Sequence, residues 1–253
     1  MISVPTSTPS ALSPAYLLVA HGSRSPQALA ALAQLAAAVR EQLRARGDRH
    51  PWVQTACLEL AAQPLAAQIE QVAAQGQRVG RSHLTLLPLL LQPGVHACED
   101  IPAAIAQASP AVPLTLLPPL GAQPAFVTSL VTTLPRLDRT ATLLLAHGSR
   151  RPGSDRPLQA LAAQLGASLA FWSQPPSLAT QVTALHDRGQ RQIVIQPYFL
   201  FPGRLTAAIA EEVARLQGLY TEVRLHFQPP LASLPTVAGA IADIFIAPTP
   251  LGF

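Results

Sequence analysis

The chain has 253 residues, 49% of them apolar, which is enough to bury one large core or two ordinary ones. Only 12% are charged, against roughly a quarter in an average globular protein. The formal charge of +4 is carried by scattered Arg, with no basic run and little aromatic interleaving, so nucleic acid is excluded as a partner. Isolated guanidinium groups suit a small polyanionic ligand instead, because they pair bidentately with carboxylates.

Cys57 and Cys98 are the only cysteines and form no Cys-x-x-Cys pair, so a disulfide framework is not expected and a reducing compartment fits. The N-terminal stretch lacks the basic start of a signal peptide, the first Arg being Arg24. Pro or Gln interrupts every apolar stretch before the roughly 18 residues that a membrane span requires. The expectation is a soluble, cytoplasmic protein with no membrane partner.

In chain order, residues 1–14 are rich in Ser, Thr and Pro and read as a disordered tail. A strand is expected at 15–20. Leu29, Leu32, Leu35, Val39 and Leu43 then share one stripe of a helix over 26–46. A strand at 53–60, a helix at 64–75 stopping at Gly76 and an apolar strand at 83–91 follow. After the loop from Gln92 to His96, Asp100 reads as the N-cap of a helix with Pro102 in its first turn, running to about Gln107. A strand at 114–117 and a helix at 124–134 close the first half. The second half repeats the order, with strands at 141–146, 168–172, 192–199 and 222–227 and helices at 154–165, 177–188, 204–217 and 231–246. Strands alternating with helices predict α/β architecture, two similar doubly wound parallel-sheet lobes at 15–135 and 140–247.

A repeat organises this pattern. The apolar run ending in His21-Gly22-Ser23-Arg24 recurs as His147-Gly148-Ser149-Arg150, which places an imidazole at the carboxyl end of the first strand of each lobe. Ligands of open parallel sheets bind outside the carboxyl ends of the strands. His21, Glu59 and His96 follow strands one, two and three and so share one sheet edge. Two imidazoles and a carboxylate there suit a first-row divalent metal, or proton transfer near neutral pH. Against that stand plainer readings. A lone His at a strand end is often a turn residue, His96 suits a helix cap, and Glu59 suits a solvent-facing strand end. Glu99 and Asp100 read as first-turn helix charges. Gly22 and Ser23 also suit an anion-binding turn. His50, His83, His186 and His226 have no partner pattern and read as structural or exposed.

Taken together, His21-Gly22-Ser23, Leu58-Glu59 with Pro64, and Pro88-Leu89-Leu90-Leu91-x-x-Gly94-x-His96-x-x-x-Asp100-Ile101-Pro102 resemble the sirohydrochlorin chelatases of the CbiX type. The second half, with His147 to Arg150 and Pro197-Tyr198-Phe199-Leu200-x-x-Gly203-Arg204-Leu205, is similar to the second half of the two-domain form. The third-strand motif is the specific part. The resemblance implies a chelatase-like fold, two α/β lobes with a cleft between them. It implies insertion of Co²⁺ or Fe²⁺ into sirohydrochlorin, in cobalamin or sirohaem biosynthesis, without a nucleotide. The metal is then a substrate, and the same ligands also accept Ni²⁺. By motif, His21 and His96 become the metal-binding and proton-accepting pair, with Glu59 assisting. Ser23, Arg24, Gly94, His147, Ser149, Arg150 and Arg204 become substrate contacts, the Arg side chains matching the eight carboxylates of the tetrapyrrole.

The halves differ. Aligning Pro88 with Pro197 puts Leu205 where His96 sits, and aligning Gln63-Pro64 with Gln174-Pro175 puts Ala170 opposite Glu59. One active site on the first lobe is therefore expected, with the second lobe as a substrate-binding wall and the chain a monomer. Two other readings compete: a non-catalytic carrier of metal or tetrapyrrole using the same pair, and a phosphoryl-transfer enzyme with His21 as nucleophile. The latter is weakened by the absence of a Walker-type Gly-rich Lys motif and of an Arg-His-Gly order.

Overall fold

A computed structural model of the chain describes residues 14–92, 94–134, 140–149 and 153–248. The tail at 1–13 and the join at 135–139 lie outside the described residues. The first lobe runs β1 (Ala15–Ala20), α1 (Pro26–Ala45), β2 (Trp52–Cys57), α2 (Leu65–Arg78), β3 (Leu84–Pro88), α3 (Ile101–Gln107), β4 (Leu114–Leu116) and α4 (Pro124–Thr133). The second runs β5 (Thr140–Ala146), α5 (Arg156–Leu165), β6 (Ser168–Phe171), α6 (Leu178–Asp187), β7 (Gln192–Pro197), α7 (Arg204–Leu219), β8 (Arg224–Phe227) and α8 (Pro235–Ile246). Each lobe holds one parallel four-stranded sheet, ordered β2-β1-β3-β4 and β6-β5-β7-β8. These are the expected doubly wound lobes. β1 and β5 are buried along their inner residues because helices cover both sheet faces.

The strand order reverses between β1 and β3, and again between β5 and β7. Such a switch point opens a crevice at the strands' carboxyl ends. His21 leaves β1 there, and the chain from β3 returns there to His96. Sheet register aligns the halves: Val19 pairs with Pro88, and Leu145 pairs with Pro197.

Several elements depart from expectation. α2 runs through Gly76 to Arg78, with Gly76 buried against Trp52 and Ala15 at ordinary packing distance. β3 stops at Pro88 rather than Leu91, because a proline lacks the N–H that would continue the ladder. α8 begins at Pro235 after a short 3₁₀ turn at Leu231–Ser233. The helix expected from Asp100 begins five residues earlier, through a π-turn at His96–Asp100 in which the Ile101 N–H donates to the His96 carbonyl. Pro102 supplies the cause, since in a regular helix its ring would clash with the Cys98 carbonyl; a wider turn relieves it. In the second lobe Glu211 stands at the position of Pro102, and α7 starts without a π-turn.

The lobes share a core. Leu18, Leu35, Val39 and Leu87 of the first belong to the same buried cluster as Leu144, Leu161, Tyr198 and Phe245 of the second. α8 lies along α1, α4 touches both α8 and α5, and the Phe245 ring sits 4.5 Å from that of Tyr16 on β1. Arg46, just past α1, donates to Asp243 of α8 at 2.6 and 3.3 Å and lies against the bare Cα of Gly239. None of the described helices is long and apolar enough to cross a membrane.

Candidate metal centre and cleft

Elementary backbone chemistry brings the second and third strands' residues to His21. Beyond β2 the ladder continues for two residues, with the Leu58 N–H donating to the Ala20 carbonyl and the Glu59 N–H to the His21 carbonyl. Glu59 is thereby fixed beside His21. Gly22 makes the approach possible: its φ is +107°, and a Cβ on it would stand 1.9 Å from the Glu59 carbonyl oxygen. Leu60, the next residue, has φ of +57° and is 52% exposed. A branched side chain in that region marks local strain beside the site.

The result is a compact donor set. His21 Nε2 lies 3.2 Å from His96 Nε2 and 3.8 Å from Glu59 Oε2, and the imidazole rings meet edge to face with centroids 4.7 Å apart. One ligand atom from each of His21, Glu59 and His96 falls within 4.8 Å of the others, the only such trio among the described residues. His21 Nδ1 lies 3.4 Å from the Gly22 carbonyl, and His96 Nδ1 donates to Asp100 Oδ2 at 2.6 Å. The Asp100 carboxylate can only accept, so a hydrogen stands on His96 Nδ1, and in the neutral ring His96 Nε2 is left as the acceptor in its 3.2 Å contact with His21 Nε2.

His21 also borders a cleft of about 420 Å³ between the lobes. The first lobe supplies Leu29, Leu32 and Leu89 to Leu91, and the second supplies Phe199, Leu200 and Phe201. The walls are largely apolar, with a few polar groups among them, His21, Ser23 and Gln92, the pattern of a pre-formed ligand site. Cys57 also lines it, and burial pushes its thiol pKa up, which keeps it a neutral wall residue.

The other expected site residues are placed as follows. Ser23 lines the cleft, but its Oγ accepts the Ser25 N–H at 3.0 Å and so belongs to the turn. Arg24 and Arg204 are exposed, with no hydrogen-bond or ion-pair partner among the described residues. The Gly94 carbonyl accepts from Ala97 and Cys98, and a Cβ on Gly94 would meet nothing, so no close approach requires glycine there. His147 and Ser149 do not line the cleft. His147 Nδ1 lies 3.2 Å from the Gly148 carbonyl and 3.3 Å from Ser173 Oγ. Arg150 lies outside the described residues.

One alignment is corrected. The Trp172 N–H donates to the Ala146 carbonyl and the Ser173 N–H to the His147 carbonyl, as Leu58 and Glu59 do in the first lobe. Ser173, not Ala170, therefore stands opposite Glu59; the Gln-Pro match misled because the turns after β2 and β6 differ in length. Leu205 does stand opposite His96, because both lobes take eight residues from Pro88 or Pro197 to that position. The second lobe thus offers His147, Ser173 and Leu205, which is one nitrogen and no carboxylate. Asp100 was read from sequence as a helix cap; it caps nothing and instead holds His96. Its His-x-x-x-Asp spacing, one helical turn, was the available signal. Phe199 and Phe201 were also missed as cleft walls, since apolar residues after a strand carry no chemical mark.

Comparison with known proteins follows the same division. The family model CbiX matches residues 15–136 and again 141–245. A sirohydrochlorin ferrochelatase of Priestia megaterium is 28% identical over 218 residues, covering 80% of this chain and 79% of that one. The structure of SirB from Bacillus subtilis with Fe³⁺ superposes with a TM-score of 0.68 at 25% identity, over 92% of this chain and 94% of that one. The cobalt complex of the sirohydrochlorin chelatase SirB from Bacillus subtilis subspecies spizizenii gives 0.67 at 24% identity, over 92% and 93%, and shows the same fold.

Proposed function

The chain belongs to the CbiX family, whose model covers both of its halves, and we propose that it inserts Co²⁺ or Fe²⁺ into sirohydrochlorin. The observation that carries this reading is the 3.2 Å approach of the His21 and His96 Nε2 atoms beside Glu59, at the edge of an apolar interlobe cleft. The relatives' names, a ferrochelatase and an iron-bound SirB, agree with it.

The site residues supply what metallation demands. The ion is a substrate and has to leave the protein, so its ligands should be few and exposed; His21 and Glu59 are both exposed. Two nitrogens 3.2 Å apart, each about 2.1 Å from one ion, subtend roughly 100° there. That angle suits tetrahedral or octahedral geometry and leaves the far side of the ion open. As the ion passes to the macrocycle, two pyrrole N–H protons are lost, giving metallated product and two protons. The same Nε2 lone pairs, freed of the ion, are placed to take them, with Glu59 stabilising the imidazolium that forms. The apolar walls from Leu89 and Phe199 hold the ring's faces, and the unpaired guanidinium groups of Arg24 and Arg204 serve its carboxylates. Ser23, which lines the cleft beside His21, is the further first-lobe contact, while His147 and Ser149 lie off the cleft and are not required for binding. No nucleotide is needed, and the chain has no Lys with which to build a Walker-type phosphate cradle. One chain supplies both cleft walls, so the working unit is a cytoplasmic monomer, active in the lobe at 15–135 and degenerate in that at 140–247.

Anaerobic absorbance of sirohydrochlorin with Co²⁺ or Fe²⁺ tests this. Wild type should metallate over many turnovers. His21→Ala and His96→Ala should each lose about 10²-fold or more in rate, as when a general base is removed, and His147→Ala should stay within about threefold. Binding in fixed stoichiometry that then stops would identify a carrier, and His147→Ala failing as fully as His21→Ala would refute a single site.

A further inference from the structure

We propose that Asp100 is a positioning residue of the metal centre, its carboxylate fixing the tautomer and ring orientation of His96; the proposal rests on the chelatase reading for its consequence, though not for its geometry. The His96 Nδ1 to Asp100 Oδ2 distance is 2.6 Å, short for a hydrogen bond from nitrogen, the direction in which a charged acceptor shifts it. A carboxylate can only accept, so the ring hydrogen is confined to Nδ1 and Nε2 is left bare. That is the atom 3.2 Å from His21 Nε2. Without Asp100 the ring is free to carry its hydrogen on Nε2, where it would block the ion and be unable to take a pyrrole proton.

Three further observations point the same way. The side chains of His96 and Asp100 are 38% and 43% exposed, and an ion pair so open to water contributes little stability; its short, directed geometry is better explained by the site than by the fold. The pair sits on a π-turn, a distortion that the chain makes only here among its described helices. Such turns are frequent at functional sites. Finally, the second lobe lacks the arrangement as a unit. Counting from Pro197 as from Pro88, Leu205 and Ile209 replace His96 and Asp100, Glu211 replaces Pro102, and Ile209 is wholly buried in that lobe's core. Where the imidazole is gone, the acid that would orient it and the proline that would widen its turn are gone too.

The experiment uses Asp100→Ala and Asp100→Asn, with Glu99→Ala as the neighbouring acidic control. Ring ¹⁵N shifts of His96 in the metal-free protein, at about pH 8 where free imidazole is neutral, report the tautomer. The wild type and Glu99→Ala should show Nδ1–H. Asp100→Ala should move the population to Nε2–H, and Asp100→Asn, whose amide can either accept from or donate to Nδ1, should give a mixture of the two tautomers. Co²⁺ affinity and the rate of metallation should both fall about 10- to 100-fold, the usual cost of losing a group that orients a metal-binding His. Asp100→Asn keeps the volume and is the variant to read if Asp100→Ala fails to fold. Nδ1–H fully retained in folded Asp100→Ala, or Co²⁺ affinity within twofold of wild type in either folded variant, overturns the proposal. If the wild type itself does not metallate sirohydrochlorin, the chelatase reading falls, while the ¹⁵N spectra and Co²⁺ titration still judge Asp100.

Discussion

Gly22 carries more of the site than its size suggests. Any side chain there meets the Glu59 carbonyl at 1.9 Å and is strained at φ +107° besides. Gly47 gives a matched comparison, with φ of +100° and nothing within 4 Å. Gly47→Ala should cost about 1 kcal/mol from backbone strain alone. Gly22→Ala should cost about 2–4 kcal/mol and push Glu59 away from His21, weakening Co²⁺ binding as well. Thermal unfolding and a Co²⁺ titration of both variants check this; equal losses at the two positions would show that the close approach does not matter. His21, Glu59 and His96 were legible in the sequence because each follows an apolar run, and strand ends of a parallel sheet converge. Ser173 and the role of Asp100 were not. The first depends on ladder register beyond β6, the second on a turn that local propensity places five residues too late.

At the scale of elements, the sequence patterns located every described β-strand and α-helix but none of the short π and 3₁₀ turns, and the ends were set by contacts that no single window contains. The run to Leu91 read as strand because it is apolar; its last three residues instead line the cleft. Gly76 read as a stop because glycine ends many helices, yet α2 carries it buried within its last turn, facing Trp52. A different tie holds α6 to the turn before β8. His186 donates to Glu222 at 2.8 Å and to Asp187 at 3.1 Å. Those bonds, Glu222 foremost, raise the His186 pKa above its ordinary value, and His186 lowers that of Glu222. A raised imidazole contributes stability that is fully present below its ordinary pKa and is lost as pH rises through the folded value. A lowered carboxylate contributes above its ordinary range and loses that contribution on acidification. The tie is therefore strongest in mildly acidic solution and fades toward alkaline pH. Glu222→Gln should flatten this part of the profile of melting temperature against pH and bring the His186 NMR midpoint back toward the ordinary imidazole value. An unchanged midpoint would show the pair is not formed in solution.

Over the whole molecule, the two lobes should unfold as one cooperative body, because a single cluster joins both sheets through α1, α5 and α8. Tyr198 of the second lobe is buried and reaches the Leu91 carbonyl of the first at 3.4 Å, and burial pushes its phenol pKa well up. Each lobe holds one of the chain's two tryptophans, Trp52 and Trp172. Denaturation curves of Trp52→Phe and Trp172→Phe, each reporting the opposite lobe, should coincide. Phe245→Ala should move both by the same amount, about 3–5 kcal/mol, the usual cost of truncating a buried Phe. Separate transitions would show lobes that fold independently.

The packing of α8 along α1 has a consequence for synthesis. The surface of α1 and β1 that Phe245 covers belongs to the first lobe, yet its cover lies near the other end of the chain. When Thr133 has left the ribosome, Phe245 is still 112 residues away, roughly 5–20 s at ordinary elongation rates. For that interval the nascent first lobe has its strands in hand but must wait, its apolar flank facing water, and it is then that a chaperone would have something to hold.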